Sequence, residues 1–149
     1  MYLDSCIIVK LLTREPDSEV FDAALTGARL ASSELAYAEV CSALLGKERA
    51  GTLSAAERRR AWMQFQNWID SEELKLLKLN EVVLRKAAHE LEQCQPAVAL
   101  RTLDAIHLAS ADLAQDFPLC TTDERLRQAA RLLKLPLWPE DRSSPGRRA

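Results

Sequence analysis

Three carboxylates in this chain sit where charge is otherwise missing. Asp4 is the only charged residue within residues 1–9, Glu39 within 35–46, and Asp104 within 102–111, counting His107 as neutral. The whole chain is 28% charged, so these are apolar, core-seeking segments that each keep a single acid. An isolated carboxylate in such surroundings is strongly disfavoured unless it is paired, protonated or coordinated. No lysine or arginine lies inside any of the three segments. Gathered together the acids repel one another, and a divalent cation relieves that repulsion. Oxygen-only ligands suit Mg2+ or Mn2+ better than zinc. Asp123, in Cys120-Thr121-Thr122-Asp123, is a fourth candidate, and the hydroxyls of Ser5, Thr121 and Thr122 are placed to orient the acids.

Each acid also has a plainer use. Asp104 and Asp123 suit the first turn of a helix, where the helix dipole favours negative charge, and Asp4 suits a turn at a strand end. Glu39 has no such use, because it falls in the middle of an expected helix, whereas Glu34 reads as a first-turn acid after Ser32-Ser33. His107, three residues after Asp104 on an apolar helix, reads as a core or supporting histidine before it reads as a general base. Lys10, Arg14, Arg101 and Arg125 flank the acid-bearing segments and are candidate phosphate contacts. The run Arg58-Arg59-Arg60 reads as a solvated helix face. Cys6, Cys41, Cys94 and Cys120 lack the short spacing of a zinc site and read as buried, reduced thiols.

The elements that must position these residues alternate in type. Strands are expected at 2–8, near 29–31, and at 74–79, 117–120 and 135–138. Helices are expected at 17–28 and from a Ser32-Ser33 cap to 47. Further helices follow from Ser54 to 70, from Asn80 to 94, from 102 to before Pro118, and over 121–133. The stripe Trp62, Phe65 and Ile69 faces a core. Strands alternating with helices imply an α/β fold with a mostly parallel sheet covered on both faces, which binds ligands beyond the carboxyl ends of its strands.

Composition bounds the partners. At 149 residues, 48% of them apolar, the chain suits one domain over 1–139, with a polar and disordered tail at 140–149. A net charge of −2 gives no basic footprint for non-specific nucleic-acid binding. No apolar run has membrane-spanning length, so a soluble, cytoplasmic protein without a membrane partner is expected.

In this order the acids resemble those of the PIN-domain family, particularly the VapC toxins of bacterial toxin–antitoxin systems. The matching stretches are Tyr2-Leu3-Asp4-Ser5, Ser33-Glu34-Leu35-Ala36-Tyr37-Ala38-Glu39-Val40, Leu103-Asp104-Ala105-Ile106-His107-Leu108-Ala109-Ser110-Ala111 and Cys120-Thr121-Thr122-Asp123. The resemblance implies a three-layer α/β sandwich with about five short parallel strands, and an Mg2+- or Mn2+-dependent endoribonuclease. Its acid site maps onto Asp4, Glu39, Asp104 and Asp123, and position 5, often threonine in the family, is serine here. It further implies an RNA substrate, a homodimer and a cognate antitoxin. Two other readings stay open on the residues alone. One is a non-catalytic binding module that keeps the acids as caps. The other is an aspartate phosphatase with Asp4 as nucleophile, in which Cys6 occupies the place of the usual second acid.

Overall fold

The protein is described by a computed structural model over residues 1–140. Five strands form one sheet: β1 (Tyr2–Leu3), β2 (Leu30–Ser33), β3 (Leu74–Leu77), β4 (Leu119–Cys120) and β5 (Leu137–Trp138). Their order is β3-β2-β1-β4-β5, and every pairing is parallel. The helices are α1 (Ser5–Thr13), α2 (Ser18–Leu25), α3 (Ala36–Arg49), α4 (Ala55–Asp70), α5 (Glu81–Cys94), α6 (Thr102–Ala114) and α7 (Glu124–Leu132). Side chains alternate across a strand, so β1 sends Tyr2 and Leu3 to opposite faces. Leu3 packs with Ile7, Phe21, Val40, Leu44 and Phe65 beneath α1–α4. Tyr2 packs with Leu108, Leu119, Leu126 and Ala129 beneath α6 and α7, and α5 stacks on α6 through Val83, Ala87, Ala105 and Ala109. The result is the expected three-layer sandwich.

The chain leaves β1 toward β2 and β3 on one side, then returns to place β4 on the other. The carboxyl ends of β1 and β4 therefore form a switch point, where loops leave the sheet in opposite directions and open a crevice. Asp4 follows β1 and Thr121 follows β4 at this edge.

Several local caps agree with the sequence. Ser54 and Glu57 form a reciprocal capping box on α4, and Asn80 Oδ1 accepts from the Val83 amide at the start of α5. Several expectations fail. The strand expected at 2–8 ends at Leu3, and α1 takes its place. Ile7, Ile8 and Val9 are buried, so this helix shows no polar stripe, and a short apolar run carries no period that separates strand from buried helix. Ser32-Ser33 ends β2 instead of capping α3, because Ser32 Oγ donates to the Leu3 carbonyl across the sheet at 2.8 Å. Glu34 is consequently no first-turn acid: its Oε2 accepts from the Leu79 amide at 3.0 Å, and Glu39 occupies the first turn of α3. Thr121–Asp123 stays outside α7, which begins at Glu124. The tail expected at 140–149 lies, apart from Glu140, outside the described residues.

One buried acid lies outside the crevice. Glu90 of α5 is 1% exposed, and neither carboxylate oxygen has a hydrogen-bond partner among the described residues. Lys86 Nζ stands 3.4 Å away and also pairs with Asp112 at 2.7 Å. Burial pushes the Glu90 carboxyl up to about 7, against the opposing pull of Lys86. A raised carboxyl stabilises the fold in its protonated form. That stability is complete below the unfolded value near 4.5 and is lost as pH rises through about 7. Glu90→Gln is expected to match wild type at pH 4.5 and to exceed it at pH 8 by up to about 3 kcal/mol, read from urea midpoints.

Candidate metal centre

Asp4 is delivered by the end of β1. Its amide donates to the Cys120 carbonyl at 3.0 Å, which locks it to β4, and its backbone turns there into α1 as an N-cap. The side chain does not cap the helix. Asp4 Oδ2 accepts instead from Thr121 Oγ1 at 2.7 Å and from Cys6 Sγ at 3.0 Å. The same Thr121 hydroxyl accepts from the Asp123 amide at 3.0 Å, so one oxygen links the two acid-bearing loops. Arg127 steadies this loop from α7, donating to the Thr121 and Pro139 carbonyls at 3.0 and 2.6 Å.

Glu39 comes from α3 across the crevice. Its Oε2 accepts from Ser5 Oγ at 2.5 Å and pairs with His107 Nε2 at 2.6 Å. His107 is 1% exposed, and its Nδ1 lies 2.7 Å from the Tyr2 hydroxyl, with the two rings edge to face. His107 Nε2 also stands 3.8 Å from Asp4 Oδ1. One ligand atom from each of Asp4, Glu39 and His107 lies within 4.8 Å of the others.

The charge states follow from these neighbours. Burial works against a charged imidazole, but the Glu39 hydrogen bond and the charges of Asp4, Glu39 and Asp104 outweigh it and raise the His107 pKa. Burial likewise works against ionised Glu39, yet its bonds to His107 and Ser5 hold the carboxyl below the usual range. Cys6 is pushed up to about 12 by burial and by the Asp4 charge, so it stays a protonated donor. Burial raises Tyr2 and keeps its phenol neutral.

Asp104 sits in the first turn of α6. Its carboxyl is raised by burial first, then by the charge of Asp123, with Asp4 adding to it and Arg101 opposing. Its Oδ2 is buried and has no hydrogen-bond partner among the described residues. Asp123 is exposed and caps α7, with Oδ1 accepting from the Leu126 amide at 3.0 Å. Neither Asp104 nor Asp123 joins the closest set of Asp4, Glu39 and His107, although the charges of Asp123 and Asp4 both help to raise the Asp104 carboxyl.

The remaining candidates divide. Thr121 donates to Asp4, whereas Thr122 is exposed and its hydroxyl stands 3.7 Å from the Cys6 thiol. Lys10 is held at 3.0 Å by both Glu15 and Asp17, so its ammonium serves the α1–α2 turn. Arg101 is exposed at the N-cap of α6, Arg14 ends α1 and is exposed, and Arg125 is half-buried in α7. Of the arginine run, Arg59 and Arg60 are exposed as a solvated face requires, whereas Arg58 is half-buried and pairs with Glu48. Two participants went unread: Tyr2, which alternation along the strand alone could only place on a core face, and Cys6, grouped with the apolar thiols. A thiol two residues past Asp4, on the first turn of the following helix, was the available signal.

Together these groups fit a divalent cation. Asp4 and Glu39 meet in one crevice, one oxygen of each is steadied by hydroxyl, thiol or imidazole partners, and a buried Asp104 oxygen lacks a hydrogen-bond partner among the described residues. The fold and this site define the class: the PIN domain family model matches residues 1–132, and the chain belongs to the PIN domain family. Among individual relatives, Ribonuclease VapC46 of Mycobacterium tuberculosis (strain ATCC 25618 / H37Rv) is 43% identical over 136 residues, covering 89% of this chain and 92% of that protein. Ribonuclease VapC45 of Mycobacterium tuberculosis (strain CDC 1551 / Oshkosh) is 36% identical over 136 residues, covering 87% and 88%. The same fold occurs in VapBC2 from Rickettsia felis bound to a DNA fragment from their promoter, at a TM-score of 0.65 and 15% identity over 91% of this chain and 95% of that one. A toxin–antitoxin complex from Klebsiella pneumoniae aligns with a TM-score of 0.57 and 17% identity, covering 83% and 87%.

Asp123 can be separated into cap and charge. Asp123→Ala is expected to lower stability by about 1 kcal/mol through loss of the α7 cap, while Asp123→Asn stays within a few tenths of wild type. Urea unfolding of the two variants measures the difference.

Proposed function

We propose that this chain is a divalent-metal-dependent endoribonuclease and the toxin of a toxin–antitoxin pair. The observation that carries the reading is the gathering of ligand atoms from Asp4, Glu39 and His107 within 4.8 Å of one another at the β1–β4 switch point, with Asp104 of α6 adding a buried oxygen that has no hydrogen-bond partner among the described residues. Family membership and relatives named as ribonucleases support it.

Asp4, Glu39 and Asp104 are assigned as the ligands, with Asp123 beside them, and Mg2+ or Mn2+ as the ion, because the free donors are carboxylate oxygens. When bound, the cation supplies charge neutralisation at the scissile phosphate and activates water for in-line attack. The chain itself supplies position: Thr121 and Cys6 hold Asp4, while Ser5 and His107 hold Glu39. Exposed Arg101, at the N-cap next to Asp104, is assigned to meet a substrate phosphate. A non-catalytic module would keep mutually repelling, partly buried acids with nothing to offset their cost. A phosphatase reading lacks its second acid, since Cys6 in that place donates to Asp4.

The charge balance is compatible with RNA. Setting the four acids aside turns the net charge from −2 to +2. The partners assigned are RNA, a cognate antitoxin and a second copy of the chain, in the cytoplasm. Among the described residues no helix is long and apolar enough to cross a membrane.

Asp4→Asn and Asp104→Asn are each expected to lower RNA cleavage about 100-fold or more while leaving the circular dichroism spectrum unchanged. Cleavage of a labelled RNA by wild type should require Mg2+ or Mn2+ and stop with EDTA. Retained cleavage by both variants would defeat the assignment.

A further inference from the structure

His107 is buried at the centre of an apolar helix, flanked by Ala105, Ile106, Leu108 and Ala109, all of them buried too. A buried imidazole is tolerated when both ring nitrogens find partners. Here they do so without solvent: Nδ1 lies 2.7 Å from the Tyr2 hydroxyl, and Nε2 lies 2.6 Å from Glu39 Oε2. Tyr2 is fully buried in the central strand, so its hydroxyl is a fixed point rather than a mobile one.

The segment from Tyr2 to Ser5 thus does three things at once. Tyr2 orients His107, Asp4 enters the crevice, and Ser5 donates to the same Glu39 oxygen that His107 holds. Among the described residues no hydrogen bond reaches Glu39 Oε1, so one oxygen is anchored and the other is left for a ligand. Asp104 and His107 lie three residues apart on α6, which puts them on the same face one turn apart. The histidine therefore ties α6 to Glu39 of α3 and to Tyr2 of β1.

We infer that His107, oriented by Tyr2, is a positioning residue that fixes Glu39 for the metal and is not itself a ligand. The inference rests on the metal-dependent reading above and deepens it. Outer partners that orient ligands are worth about 10- to 100-fold in metal affinity. Nε2 lies 2.6 Å from Glu39 Oε2, against 3.5 Å from Ser5 Oγ and 3.8 Å from Asp4 Oδ1, so the Glu39 oxygen is its shortest partner.

The test uses the full chain with Mn2+ as the probe, followed by the loss of the free-ion electron paramagnetic resonance signal. Tyr2→Phe keeps the ring and removes one oxygen, and it carries the test if His107→Asn does not fold. Thermal melting checks both variants. Tyr2→Phe is expected to weaken Mn2+ binding about tenfold, and His107→Asn about 10- to 100-fold, with kcat for RNA falling and KM little changed. Pulsed measurements on wild type should show no nitrogen coupling to Mn2+. A nitrogen coupling that disappears in His107→Asn would overturn the inference in favour of direct ligation. Wild-type affinity and kcat in Tyr2→Phe would overturn it as well. Failure of the underlying reading looks different: wild type would then bind no Mn2+, or Asp104→Asn would bind it as wild type does.

Discussion

Several carboxylates held in one partly dry crevice repel one another, and each also loses hydration. This is the constraint around which the rest of the site is organised. Three of the four acids have a compensating device. Asp4 receives a hydroxyl and a thiol, Glu39 receives a hydroxyl and an imidazole, and Asp123 is pinned by a helix amide. Asp104 is the exception. Its buried oxygen lacks a partner among the described residues, and burial with two like charges raises its carboxyl. The deficit is concentrated at Asp104.

The sheet order sets where the acids can meet. Because β1 is central and its neighbours β2 and β4 are reached by opposite crossovers, the loops after β1 and β4 diverge and leave room between them. The short β1 is as informative as its position. Two residues suffice to set Tyr2 and Leu3 into opposite cores, after which Asp4 turns the chain into α1. A longer strand would have carried Asp4 into the sheet, where its side chain could not meet Glu39 from α3. The same brevity keeps Ser5 and Cys6 on the first turn of α1, within reach of the acids they serve.

Much of the site was legible because a lone acid in an apolar segment is improbable without a reason. That contrast picked out Asp4, Glu39 and Asp104 with no knowledge of contacts. The ends of α4 and α5 were legible for a different reason: Ser54, Glu57 and Asn80 satisfy orphan amides three residues away, which is a local transaction. Ser32-Ser33 has equally good capping chemistry but is spent on the sheet, since Leu3 lies across from it. Ile7-Ile8-Val9 has strand-like composition but is buried as a helix. Lys10 looked available for phosphate until the turn after α1 brought Glu15 and Asp17 onto it.

What the sequence alone determined is therefore the inventory: which acids are isolated, which residues can cap, and the alternation that demands a parallel sheet. Only the tertiary structure decided which oxygen each donor holds. Ser5 meets Glu39 across 34 positions, Tyr2 meets His107 across 105, and Thr121 meets Asp4 across 117. Pairings of that separation have no local signature, because they exist only after β1, α3, α6 and β4 have packed. The physical reason is that charge and capping propensity belong to a residue and its near neighbours. Hydrogen-bond direction within a crevice belongs to the backbone scaffold that brings distant side chains within 3 Å.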